Sequence, residues 1–222
     1  MKIGIIGTGN MGRALGLRWA HAGHEVFFGS RDLGKAKAIA DSHSGSVRAG
    51  DFDAAAAFGD VILYTIRDRF PSNLLKDPQT LSGKIVIDCN NSAMLGLELP
   101  DPEHRPGIHF SITIPSLAER LAADTPGARV VKAFNTMAAQ TIELDCETLA
   151  RHRVSVFLCS DDEQAKSVVK GLAEELGFIA MDSGALERAR LVESVGDFIR
   201  FQAIEMGLGL FATISVNIIP GP

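Results

Sequence analysis

The glycines of Gly7-Thr8-Gly9-Asn10-Met11-Gly12 are spaced as a backbone needs to approach a diphosphate. The first permits a tight turn and the second lets main chain close on phosphate oxygens. The third lets a helix lie against the strand that precedes it. Alone, G-x-G-x-x-G is weak, because turns use glycine everywhere. Its flanks strengthen it here: Lys2 to Ile6 reads as a buried strand, and a helix runs from Asn10 to Ala22, stopped by Gly23. The free N–H groups and partial positive charge of that helix start suit an anion. A dinucleotide is the expected ligand.

The end of the second strand, Glu25 to Phe28, tells which dinucleotide. A site for an unmodified ribose places Asp or Glu there. This chain instead has Gly29-Ser30-Arg31-Asp32, with Lys35 one helical turn beyond Arg31. A hydroxyl and a guanidinium are natural partners of a 2′-phosphate, and Lys35 adds a second cation. Asp32 comes one residue late and reads as the cap of the next helix. NADP(H) is the expected cofactor.

Other chemistry is sparse. G-x-S-x-G, H-E-x-x-H and GxxxxGK[ST] do not occur. The six histidines have no metal spacing; His21 and His24 read as surface residues. His109, in a loop before a short helix, could reach a nicotinamide or be structural. Lys132 and Asn135 are one residue closer than the K-x-x-x-N acid/base pair of hydroxyacid dehydrogenases and lie on a strand. No catalytic side chain is therefore named. None is needed if hydride passes directly between two stacked rings, where the protein supplies orientation and a dry cleft. The strand ends Thr65-Ile66 and Asn135-Thr136-Met137-Ala138-Ala139 suffice for that.

The elements that must position these residues alternate. Strands are expected at Ser46–Arg48, Val61–Thr65, Lys84–Asp88, Arg129–Phe134, Val154–Cys159 and Phe178–Met181, in addition to the first two. Helices are expected at Asp32 to Ala40, after Asp51 or Asp53 through Phe58, Ser116 to Ala123, Asp161 to Leu176 and Leu186 to about Leu210, with a loop from Leu99 to Pro115. Buried runs alternating with helices point to an α/β chain, a Rossmann-type doubly wound parallel sheet, with a smaller C-terminal helical lobe. The division falls near 1–140 and 141–222. The chain is 222 residues long, 46% hydrophobic and 22% charged, enough for a sizeable core. A net charge of −5 offers nothing global to nucleic acid. Three scattered cysteines without CxxC suit a reducing cytoplasm. No targeting signal is visible, and the uncharged run from Met206 to Pro222 is too short and glycine-broken for a membrane span. It reads as an interface and pocket wall.

TGNMG (8–12), GSRD with Lys35, VVKAFNTMAA (130–139) and DSGALERARLVES (182–194) occur in that order. Together they resemble the NADPH-dependent F-420 reductases, and VVKAFNT is similar to the cytosolic domain of the six-transmembrane epithelial metalloreductases. The resemblance implies NADP contacts at Thr8, Gly9, Asn10 and Met11, and 2′-phosphate contacts at Ser30, Arg31 and Lys35. It implies that Thr65, Ile66 and Asn90 flank the ribose and nicotinamide. The 135–139 turn and the Gly207–Gly209 region would face a deazaflavin ring, and the protein would be a homodimer. Two departures lie on the acceptor side. The enzymes resembled tend to have H-T-I-P where this chain has Asn135 to Ala138, and T-I-P-W where it has Thr65-Ile66-Arg67-Asp68. Coenzyme F-420, a flavin or a ferric chelate is therefore open as acceptor. The alternatives are a reductase of a small imine or carbonyl, and an NADP(H)-binding redox sensor.

Overall fold

Six short apolar runs pair side by side in parallel: Lys2–Ile6 (β1), Glu25–Gly29 (β2), Val47–Gly50 (β3), Val61–Tyr64 (β4), Ile85–Asp88 (β5) and Arg129–Lys132 (β6). The computed structural model describes residues 1–43, 47–67, 69–91 and 115–219. Their order across the sheet is β3-β2-β1-β4-β5-β6. The chain thus winds outward from β1 to β3, returns to β1's other side at β4, and winds the opposite way. A crevice opens where the winding reverses, above the C-terminal ends of β1 and β4. The glycine loop leaves β1 there.

Every residue of β4 and β5 is buried, which is why these runs carry no polar alternation. Helices cover both faces. Asn10–His21 (α1) and Leu33–Asp41 (α2) join a core with Ile3, Ile5, Trp19, Phe28, Val131 and Phe134. Phe52–Phe58 (α3) and Leu117–Asp124 (α4) cover the other face with Ile6, Ile62, Tyr64 and Val86. Their starts are capped as the sequence suggests. Asp32 accepts Lys35 N–H at 3.0 Å, Asp51 rather than Asp53 accepts Ala54 N–H at 2.8 Å, and Ser116 with Glu119 forms a capping box.

The first core continues into the C-terminal part. Trp19 meets Phe134 edge-on at 5.8 Å, Phe134 meets Phe178 at 6.1 Å, and Trp19 Nε1 donates to Leu172 O at 3.2 Å. Leu172 lies in Glu163–Glu174 (α7). Between α4 and α7 come two helices the sequence did not disclose, Ala139–Ile142 (α5) and Cys146–Arg151 (α6), both too short for a periodic apolar face. Ser155–Leu158 (β7) and Ile179–Asp182 (β8) form a separate parallel pair. An antiparallel bridge ties it to the main sheet, with Lys132 N–H donating to Cys159 O at 2.9 Å.

The final helix is shorter than its sequence suggests. Leu186–Arg188 is a 3-10 turn, and Ala189–Ile204 (α8) is the helix. Gly207 and Gly209 follow with φ of 74° and 84°, a left-handed region that suits glycine and turns the chain back. The apolar run beyond Ile204 therefore folds over α5, where Thr141 Oγ1 donates to Leu210 O at 3.1 Å. The expected loop at Leu99 to Pro115 lies outside the described residues up to residue 114, and so does His109. Among the described residues no helix is long and apolar enough to cross a membrane.

Candidate functional site

The glycine loop is built by shape. Gly7 has φ 115°, and a Cβ on Gly12 would stand 2.1 Å from Gly7 O and 3.1 Å from an Ile5 methyl. α1 can start this close to β1 only with glycine there. Gly9 differs: a Cβ there would meet nothing within 4 Å, so the space it faces is open. Gly9 is also the N-cap of α1 and makes no side-chain cap, leaving the first N–H groups of the helix for an anion. Thr65 Oγ1 donates to Ile6 O at 3.1 Å and braces the turn.

At the end of β2, Thr8 Oγ1 donates to Ser30 Oγ at 3.0 Å, and Asp32 N–H donates to the same oxygen at 3.1 Å. Ser30 is buried and still has its own hydroxyl proton to give. Arg31 and Lys35 are exposed, and neither side chain is engaged with another described residue. Asp32 is spent on its cap. This edge of the crevice is cationic, as the sequence suggests.

From Gly9, Asn10 and Met11 a cavity of about 520 Å³ runs across the sheet ends to α8. Thr65, Arg67, Cys89, Asn90 and Asn91 line it from the strands, and Asn135, Met137, Ala138 and Ala139 from the turn after β6. Gly196, Asp197, Ile199 and Arg200 line it from α8, and Leu210 and Ala212 from the returning tail. Thr65, Asn90, Asn135, Met137 and Ala139 are thus brought together as expected. Ile66 and Thr136 do not line it: Ile66 packs into the second core, behind Gly7, and Thr136 is buried. Gly207 and Gly209 do not line it either; they make the turn that delivers Leu210 and Ala212.

Three asparagines form the floor. Asn90 Nδ2 donates to Asp88 Oδ1 at 2.8 Å and to Tyr64 O at 3.2 Å, fastening β4 to β5. Asn91 Nδ2 donates to Asn135 O at 2.7 Å, and Asn135 Nδ2 donates to Asn91 Oδ1 at 2.8 Å and to Val192 O at 3.0 Å. These acceptors fix the Asn135 amide, and its Oδ1 is buried with no partner among the described residues. An unpaired buried acceptor costs about 1–3 kcal/mol, so this atom fits a ligand N–H. α8 passes so close that a Cβ on Gly196 would fall 2.6 Å from the Asn91 amide.

Beneath the floor lies a buried charge cluster whose roles the sequence did not reveal. Lys132 Nζ donates to Asp88 Oδ2 at 2.8 Å, to Glu193 Oε1 at 2.9 Å, and to the carbonyl of Asn90. Lys132 and Glu193 are 0% exposed and Asp88 is 1% exposed. Glu193 Oε1 also accepts Leu117 N–H at 2.9 Å, so the cluster pins α8 to α4 and to the sheet. Burial alone would lower the Lys132 pKa, but the two carboxylates outweigh it and hold it above its usual value. Burial pushes Glu193 up despite Lys132, since two carboxylates share one ammonium. Lys132 itself does not line the cavity, whereas Asn135 does. The only hint of Glu193 was its place inside the 182–194 motif.

Cys89 lines the cavity, with burial first and Asp88 second pushing its thiol up to about 12, so it stays protonated and inert. Asp197 also lines it, and burial raises its pKa against the pull of Arg200. Among the described residues no group of His, Cys, Asp and Glu could hold a metal ion. One expectation fails at the opposite end of the sheet, where the strands begin. His24 is buried, with Nε2 2.7 Å from Glu175 and Nδ1 3.1 Å from the N-terminal amine, because the turn at Gly23 (φ 95°) folds it against α7.

Known proteins are similar to this chain in sequence and fold. Residues 2–92 match the family described as NADP oxidoreductase coenzyme F420-dependent. The F420-dependent NADP reductase of Methanothermobacter thermautotrophicus is 32% identical over 215 residues, which cover 88% of this chain and 86% of that protein. The metalloreductase STEAP3 of Rattus norvegicus is 30% identical over 87% of this chain, but this chain spans only 36% of its length. A solved structure from Arthrobacter sp. FB24, provisionally assigned as an F420-dependent NADP reductase, superposes with a TM-score of 0.78 at 25% identity, covering 98% of this chain and 100% of that one. An imine reductase from Myxococcus stipitatus in complex with NADP+ has the same fold at 15% identity, with a TM-score of 0.65 over 94% of this chain and 64% of that one. By its identity with reductases that it covers nearly end to end, this chain belongs to the F420-dependent NADP oxidoreductase family.

Proposed function

We propose that this protein transfers hydride between NADP(H) and a planar ring acceptor of the deazaflavin or flavin type. The observation that carries this is the continuity of the cavity. It begins at the open face of Gly9 and ends on α8, so one space takes both a nicotinamide and a second ring. When bound, the dinucleotide supplies the hydride chemistry. The chain's part is positional. The α1 N-terminus and loop amides hold the diphosphate, Ser30, Arg31 and Lys35 hold the 2′-phosphate, and Asn135 Oδ1 accepts from a carboxamide N–H. Met137, Ala139, Ile199 and Leu210 exclude water from the space between.

The test is loss of reduced-nicotinamide absorbance with F-420, flavin mononucleotide and a ferric chelate as acceptors. Turnover with F-420 or the flavin supports the reading; NADPH binding without oxidation of any acceptor would favour the redox sensor. Reduction of a small imine is the second reading, favoured by Asp197, a carboxyl that lines the cavity, whose pKa burial raises, and that can take up and give back a proton there. Turnover of a cyclic imine, lost in Asp197→Asn while ring acceptors are still reduced, would establish it.

The homodimer belongs to the same proposal. Phe198, Phe201, Ile204, Met206, Leu208 and Phe211 are exposed on α8 and the tail beyond it, an unusual concentration of large apolar side chains. Ile204 also lines the cavity, so a second copy seated on this face would complete the wall. Sedimentation of the wild type as a dimer and of Phe201→Glu as a monomer is the expected result. Three free cysteines fit a cytoplasmic setting for this chemistry.

A further inference from the structure

The acceptor half of the cavity carries a charge pattern at odds with the rest of the chain. The protein is acidic, at −5. The charged residues among those lining the cavity are Arg67, Asp197 and Arg200, which sum to 2 − 1 = +1. Neither arginine makes an ion pair or side-chain hydrogen bond among the described residues. Both arginines line the same cavity as Asp197, whose carboxyl feels Arg200 most among the charges around it, then Arg190 and Lys132, and Arg67 least. The dinucleotide has its own receptors elsewhere. Its diphosphate is met by the amides after Gly9, and its 2′-phosphate by Ser30 and Arg31, beyond the cavity on the β2 side. Arg67 also stands where the enzymes resembled carry proline, so this cation is a departure of this chain.

We propose that Arg67 and Arg200 are specificity residues that hold a phosphate group on the acceptor, so the preferred acceptor is a phosphate-bearing ring and not the bare ring. A guanidinium fits phosphate geometry by paired N–H donors. Asp197 opposes them as a nearby negative charge, which limits how tightly an anion is held and favours release of the product. This inference rests on the hydride-transfer reading, but it predicts binding that is read without turnover.

The test uses flavin mononucleotide and riboflavin, one ring with and without a phosphate. Each is titrated by its fluorescence into the protein saturated with NADP+. The mononucleotide is expected to bind about tenfold or more tightly than riboflavin, the worth of one charge-assisted contact. That preference should shrink as salt rises, while riboflavin binding stays level. Arg200→Gln and Arg67→Gln should each reduce the preference, and both together abolish it, with NADP+ affinity within about threefold of the wild type, a small fraction of the tenfold step. Asp197→Asn should tighten the mononucleotide and leave riboflavin alone. Equal binding of the two flavins, failure of both to bind, or a preference that survives the double substitution would overturn the proposal. So would a loss confined to NADP+, which would assign the arginines to the dinucleotide. If the preference holds while NADPH is never oxidised, the hydride-transfer reading fails and the charge selectivity stands. Oxidation at equal rates with both flavins would sink the selectivity alone.

Discussion

The two ends of the cavity are made by opposite means. At the β1 end the site is backbone: Gly7, Gly9 and Gly12 work through atoms they lack, and the binding groups are main-chain amides. At the α8 end it is side chains drawn from the segments after β4 and β5, the turn after β6, α8 and the tail, held over a buried Lys132–Asp88–Glu193 cluster. The first is local in sequence, six consecutive residues. The second joins residues 61 positions apart in the Lys132–Glu193 pair alone. A local site of backbone tolerates change anywhere except at its glycines. A site assembled by buried charge depends on every member, because an unpaired charge in the interior is far costlier than an unmade surface contact.

Breaking the charged end should have the largest effect. Lys132→Met leaves Asp88 buried without its ammonium and Glu193 with only the Arg190 guanidinium at 3.8 Å, and should cost about 3–5 kcal/mol of unfolding free energy. Urea denaturation reads this directly. If the cluster pins α8 to the sheet, adding Glu193→Gln to Lys132→Met should recover part of that loss. A variant as stable as the wild type would mean the cluster carries no such duty.

The cofactor end breaks differently. Arg31→Ala should leave folding alone and weaken NADPH by about 1.5–3 kcal/mol, tenfold to a hundredfold or more, with NADH little changed. Calorimetric titration of both nucleotides distinguishes this from a general loss; equal losses would remove Arg31 from the 2′-phosphate. Gly12→Ala places a Cβ against Gly7 O, so loop or helix must shift, at about 1–3 kcal/mol. NADPH and NADH should then suffer alike, since both need the diphosphate turn.

The smallest effect concerns pH. Glu193 has a folded pKa above its usual 4.5, so the folded state holds a proton that the unfolded state gives up. Its stabilising contribution is full below 4.5 and is lost as pH rises through the folded value. Glu193→Gln should therefore gain on the wild type in this range as pH rises, by about 1 kcal/mol per unit of raised pKa. Unfolding curves of the two proteins at several pH values check the sign. Parallel curves would mean that Glu193 is ionised throughout.

Legibility followed the same divide. The β1–loop–α1 unit, the cationic end of β2 and the capping role of Asp32 could be read from consecutive residues, because each depends on neighbours a few positions away. The strands could be read because burial on both faces forces continuous apolar runs. What escaped was set by distant partners. Asn91, Asp197 and Arg200 show no spacing pattern, and Lys132 was noticed only as a poor match to another pair. Gly207 and Gly209 were placed at the acceptor, though their positive φ makes them the turn before it. The helix at Ala139–Ile142 is held by packing on α1, and the one at Cys146–Arg151 by Cys146 against Glu175 and Gly177 just beyond α7, rather than by any periodicity of their own.

By itself, then, the sequence determined the parallel sheet, the glycine turn and the cationic strand end, since steric and hydrogen-bonding constraints act there over short range. Tertiary structure alone decided which side chains line the far end of the cavity. That choice depends on how α8 docks, and its docking is governed by one buried ammonium shared between two carboxylates, the bare Gly196 against Asn91, and the turn at Gly207 and Gly209 that brings Leu210 to the wall.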